Sequence, residues 1–333
     1  MQKAIWSPAI LTPVRTIAAA IRNVPAIAAA TILTATLSAI GAAQSAQPAF
    51  ATPEEAAEAL GRVVKAGDLD GLVALFGPGG RELLDSTDPA RATQNREVFR
   101  VAMAEGWHLV DREPAGKQLV VGNENWPFPI PLVKHSDGWR FDTAAGKEEI
   151  IARRIGHNEL AAMRVCRTYV SAQRIYASRG HDGKPPGFYA RRIMSDPGTE
   201  NGLYWPTTSK GRRSPLGDLA AQAADDQASH AARKSEPVPF HGYFFRILDA
   251  QGASAPGGAR SYLANDALFH GFALVAWPAQ YDVTGVMTFI VNGDNVVFEK
   301  DLGPDTANLV KAIRSYDPDS TWQRASDTAG LDP

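Results

Sequence analysis

A single cysteine, Cys166, stands in 333 residues. One thiol cannot close an internal disulfide, so in an oxidising compartment the fold rests on packing alone. The seven histidines, at 108, 135, 157, 181, 230, 241 and 270, show no H-x-x-x-H or comparable spacing, so no metal site is legible. No G-x-S-x-G elbow presents a serine to a base. The glycine-rich strings GPGG and APGG lack the lysine and helix of a phosphate loop and read as turns. These absences leave no cofactor motif and no catalytic constellation.

Acids are missing from the amino-terminal segment, where Glu54 is the first. Before it stand Lys3, Arg15 and Arg22, then an uncharged run from Asn23 to Pro53 in which Ile27, Ile32, Leu33, Leu37 and Ile40 lie among Ala and Thr. Basic, then apolar, then small is the order of a secretory signal, and the stretch Gly41, Ala42, Ala43 predicts cleavage between Ala43 and Gln47. Residues 1–46 are thus expected to send the chain through the general secretory pathway to the periplasm or beyond. No cysteine near the cleavage point offers a lipid anchor, and no membrane span is expected after cleavage. Loss of three basic residues turns 34 Lys plus Arg into 31 against 36 Asp plus Glu, a net charge near −5, which disfavours a nucleic-acid partner.

What remains is long enough for two domains. In TPEEAAEALGRVVKAGDLDGLVALFGP, Thr52 caps a helix opened by Pro53, with Glu54 and Glu55 at its positive end. Ala56, Leu60, Val63 and Val64 form its apolar face. Gly67 and Asp68 turn the chain into a second helix, which GPGG stops; a third spans 89–104. Strands follow at 107–112, 118–123 and 129–135, and Ser136, Asp137, Gly138 turn into Trp139, Arg140, Phe141. Helices followed by a meander ending in GWRFD resemble the fold of nuclear transport factor 2 and its relatives, over residues 47–145.

Residues 146–319 read as a second α+β domain. A helical stretch from Ala144 is expected to break at Gly156, with His157 near the start of a longer helix. In that helix Ala162, Cys166, Tyr169, Gln173 and Tyr176 share one buried stripe. A loop-rich section, 178–239, contains a polar, Ala-rich stretch at 218–236 that can form at most a surface helix. Four strands follow, at 243–249, 271–277, 286–291 and 296–300. NELAAMRVCRTYVSAQRIYA and GVMTFIVNGDNVVFEKD resemble the head of type IV pilins and pseudopilins, a long helix on a four-stranded antiparallel sheet. The preceding KEEIIARRIG is charged, unlike a pilin's apolar helix. Residues 320–333 have little to bury and read as a mobile tail.

The phrases WPFPIPLVK, GWRFDTAAGKEEI, RRIGHNELAA, GLYWP, GYFFRIL, GFALVAWPAQY, TGVMTFIVN and KDLGPDT occur in order between Trp126 and Asp305. Together they resemble the bacterial exported family catalogued as domain of unknown function 2950. The resemblance implies a bacterial source and an envelope or secreted location, and carries no activity with it. Many members have an acidic Asp-Gly-Asp-Gly loop after the long helix. Here the text is RGHDGKPPG, with Asp182 its only acid, against the six to eight oxygens that calcium takes.

The candidates for ligand contact are aromatic and basic. Trp126 and Phe128, Tyr204 and Trp205, and Trp277 stand beside prolines, where rings stack on sugars or hold extended peptide, or close strand ends. Arg153 and Arg154 are candidates for an anion. Asp137, Asp142, Glu148 and Glu149 read as turn and capping groups. The expected role is a non-catalytic binding or accessory module whose partner is an envelope protein, glycan or peptide. The alternatives are an enzyme using a cavity in the amino-terminal domain and a pilus or secretion-system component.

Overall fold

The computed structural model describes residues 47–84, 89–181, 183–206, 213–217 and 238–326. The predicted signal, Asp182, the Ala-rich stretch at 218–236 and the tail from 327 lie outside the described residues. Helices and antiparallel sheets make the class α+β, as predicted. The chain divides into two compact units between Lys147 and Glu148.

In the first unit, α1 (Pro53–Ala66) starts where Thr52 Oγ1 accepts the Glu55 N–H at 3.2 Å and ends where Gly67, in the left-handed region at φ 66°, donates to Val63 and Val64. Asp68 caps α2 (Leu69–Phe76) by accepting from Gly71 N at 2.9 Å. Gly77 ends α2 as expected, yet a short α3 (Gly80–Leu84) follows at once, so GPGG interrupts the helical run and does not finish it. A longer α4 (Pro89–Glu105) completes the helices.

The sheet contains β1 (Trp107–Arg112), β2 (Gly116–Val121), β3 (Trp126–Pro127), β4 (Leu132–His135) and β5 (Gly138–Phe141), ordered β1-β2-β4-β5 with β3 also on β2. His135 pairs with Gly138 across the predicted turn, and Arg140 clasps Asp137 through two bonds of 2.6 Å. A Cβ on Gly138 would meet Phe50 O at 2.6 Å; its absence lets Phe50 exchange two backbone hydrogen bonds with Trp139. Phe76, Phe99, Trp126, Phe128 and Phe141 stack and cross at 5.0 to 6.3 Å, and Trp107 and Trp139 pack against that cluster. These rings form the aromatic core of the first unit.

The second unit is built on α5 (Thr143–Ala177), 35 residues without the expected break at Gly156. A lone glycine costs a helix only about 1 kcal/mol against alanine, too little to stop one this long. His157 therefore lies within the helix. The predicted stripe is real: Ala162, Cys166, Tyr169, Gln173 and Tyr176 are all buried. Tyr169 OH donates to Ala273 O at 3.1 Å, fastening the helix to the sheet.

That sheet has five strands in the order β14-β13-β12-β11-β6, one more than predicted. They are β6 (Tyr243–Leu248), β11 (Ala273–Pro278), β12 (Met287–Asn292), β13 (Phe298–Asp301) and β14 (Gln323–Arg324). The extra strand comes from the segment read as a mobile tail. Trp322 packs on the core, and the Ala325 N–H donates to Val297 O at 3.0 Å. A two-residue strand has no periodicity to detect, but the edge of β13 offers it unpaired backbone groups. Between β6 and β11 lie two small ribbons, β7 (Ala250–Gln251) with β8 (Arg260–Ser261), and β9 (Leu263–Ala264) with β10 (Ala267–Leu268). A short α6 (Thr306–Ala312) follows β13. Among the described residues no helix is long and apolar enough to cross a membrane.

Candidate functional site: a cationic cleft at the end of the long helix

The loop-rich section after α5 is held by specific bonds. Gln173, fully buried on α5, accepts the Ala190 N–H at 2.9 Å and donates to Ala190 O at 2.8 Å. Gly187 N donates to Ala177 O and Tyr189 N to Leu268 O. His181 and Lys184 exchange backbone bonds of 3.2 and 2.9 Å in a tight turn. Gly180 permits this turn, since a Cβ there would meet Lys184 O at 2.7 Å. Asn265 and Asp266 both adopt the left-handed conformation that a two-residue hairpin loop needs, and they join β9 to β10. That loop brings Asp266 to Arg191, whose Nη1 donates to Asp266 Oδ1 at 2.6 Å and to its carbonyl at 2.8 Å.

These segments enclose a cleft of about 440 Å³, with Tyr176, Phe188 and Tyr189 on its walls and Arg179, Lys184, Arg191 and Arg192 around it. Arg191 is committed to Asp266 and Arg192 to Asp196. Among the described residues Arg179 and Lys184 have no acidic partner, and Lys184 lies 5.8 Å over the Phe188 ring.

His181 also lines the cleft, its side chain only 4% exposed. Its ring lies face to face with Tyr176 at 4.1 Å and 5.6 Å from Trp205. Nδ1 is 3.1 Å from Glu200 Oε2. A carboxylate only accepts, so the hydrogen sits on Nδ1 and the ring is held in one orientation. Tyr176 OH donates to the Glu200 carbonyl at 3.0 Å and steadies that residue. Nε2 is buried and has no hydrogen-bond partner among the described residues. Leaving such an atom unmet costs about 1–3 kcal/mol, and native proteins seldom do so without a use.

The residues singled out from sequence are dispersed. Trp126 and Phe128 are in the core of the first unit, and Trp205, buried, and Tyr204, half-buried, pack on the core of the second. Trp277 has the Phe244 ring at 5.8 Å and the Arg246 guanidinium over its own ring at 5.6 Å. Arg153 is ion-paired with Glu149 at 2.7 Å, and Arg154 is exposed on α5. Of these, only Trp205 comes near the cleft, through His181. Among the described residues no three His, Cys, Asp or Glu converge as metal ligands. Cys166 is wholly buried, and burial pushes its thiol up to about 12, which removes it as a nucleophile.

Residues 47–325 match the family described as Protein of unknown function (DUF2950), and the chain belongs to that family. No curated protein and no solved structure matches it. The likeness to nuclear transport factor 2 thus rests on element order, and that to a pilin head on element order and the two phrases quoted above.

Proposed function

We propose that this is an exported binding module of the bacterial cell envelope, and that the cleft after α5 takes an anionic group of an envelope glycan or peptide. The observation that carries the reading is the pair of cations without acidic partners among the described residues, Arg179 and Lys184, beside a buried histidine nitrogen left unmet there. Carboxylate and phosphate are the groups the two cations select, and the Nε2 lone pair accepts from a hydroxyl of the same ligand. Aromatic walls at Tyr176, Phe188 and Tyr189 suit a sugar face or a flat side chain. Export is supported by the order of charge and hydropathy in residues 1–46.

Thermal unfolding of the purified protein with inorganic phosphate, uronic-acid oligosaccharides, acidic peptides and neutral oligosaccharides tests the ligand class. At one hundred times its Kd a ligand stabilises the folded state by about 2.7 kcal/mol, or roughly 5–10 °C for a unit of this size. Anions should produce that rise, and the double substitution Arg179→Ala, Lys184→Ala should abolish it. Equal response to neutral sugars, or none to any anion, would refute the reading. Fractionation and amino-terminal sequencing test export: the mature protein should begin at one of residues 44 to 47, and retention of the intact chain in the cytoplasm would count against export.

A further inference from the structure

Beside the cleft lies a second depression of about 340 Å³, and the two share Lys184, Pro185 and Phe188. Ala264, Ala267 and Phe269 make its surface apolar. Phe269 is 45% exposed, although its ring lies 5.0 Å from that of Phe188. The β9–β10 hairpin and the residue after it hold both characters within four residues, since Asp266 clasps Arg191 on the cationic side and Phe269 lies on the apolar side. Exposed aromatic surface continuous with a charged cleft is matched by a ligand with both properties.

We infer that the cleft and the depression together hold one single-tailed amphiphilic anion. Its phosphate or carboxylate lies among Arg179, Lys184 and Nε2 of His181, and its apolar part lies on Phe188 and Phe269. With its hydrogen on Nδ1, His181 presents the Nε2 lone pair, which accepts from the remaining P–OH of a phosphate monoester or from a hydroxyl beside the charge, while Arg179 and Lys184 donate to the other oxygens. The inference rests on the anion-binding reading above and names the rest of the ligand.

Calorimetric titration of the purified protein with inorganic phosphate and then butyl, hexyl and octyl phosphate, each below its micelle concentration, separates the two. Affinity should rise about twofold to fourfold per added methylene until the depression is full, fourfold matching a fully buried CH2. Phe269→Ser should flatten that series and leave inorganic phosphate unchanged. His181→Ala should weaken every member alike. Affinity independent of chain length overturns the amphiphile and leaves the anion reading standing. No binding of any member, phosphate included, removes both. A chain-length series untouched by Phe269→Ser overturns the placement of the tail. Co-sedimentation with phosphatidylglycerol vesicles by a protein that ignores octyl phosphate also overturns it, because it means a membrane surface in place of a single molecule.

Discussion

Replacing Gln173 with Met removes the bonds that hold the cleft wall to α5 while keeping an unbranched side chain of similar length. Gln173 is fully buried and bonds both backbone groups of Ala190, at 2.9 and 2.8 Å. Its third bond, to Tyr169 OH at 3.0 Å, matters less, because that hydroxyl keeps its own bond to Ala273 O. Two buried backbone groups thus lose their partner, and each orphan costs about 1–3 kcal/mol. Some relaxation toward water is available to the loop, so the expected loss is about 2–4 kcal/mol. In the unfolding transition of the second unit that is a fall of roughly 5–15 °C. Urea unfolding monitored by tryptophan fluorescence gives the free energy, and amide exchange shows whether Ala190 in particular has opened. A loss below about 0.5 kcal/mol, the size of an ordinary surface change, with Ala190 still protected, would show that the wall is held by something else.

Glu299 tests the electrostatics of the sheet. Burial first, and the neighbouring carboxylate of Glu159 second, hold its carboxyl above its usual range. The folded protein therefore binds that proton more tightly than the unfolded chain, so the contribution to stability is full below about pH 4.3 and is lost as pH rises through the folded value. Glu299→Gln should raise Tm at pH 7 and leave it unchanged at pH 4; equal shifts at both would refute the cause given. Native Cys166 should ignore a disulfide reagent at pH 8 and react in full in urea, whereas fast native labelling would show that the stripe opens. A chain ending at Asp319 loses β14 and the packed Trp322, and should lose about 2 kcal/mol of stability, seen as a lower urea midpoint; an unchanged midpoint would mean that the strand contributes nothing.

Much of the fold is legible because its signals are local. Thr52, Pro53 and Gly67 mark α1 by capping chemistry, and the stripe from Ala162 to Tyr176 marks the buried face of α5 by periodicity. Gly156 misleads because a propensity penalty is small beside a long helix packed on a sheet. Trp322 and β14 are missed because the partners of β14 lie in β13, 24 to 26 residues back, and so short a segment has no pattern. Of the aromatic candidates, Trp126 and Phe128 stand beside prolines where a short strand ends, and their rings are buried in the core. The cleft was half visible. From Arg179 to Arg192 the text RGHDGKPPGFYARR holds four cations and two aromatic rings against one acid. Nothing local, however, pairs His181 with Glu200 or brings Asp266 to Arg191, contacts that span 19 and 75 residues.

The cleft is built from two kinds of material, and that division governs how it can change over generations. Its floor, His181 stacked on Tyr176, belongs to the packed interior, where a substitution disturbs binding and folding together. Its rim, Arg179, Lys184 and Phe269, is largely exposed, and changes at such positions usually cost within about 0.5 kcal/mol. Drift is therefore nearly free at the rim and heavily constrained at the floor. Under the proposed function, the ligand class would change through a few rim side chains while the buried histidine and its support stay in place.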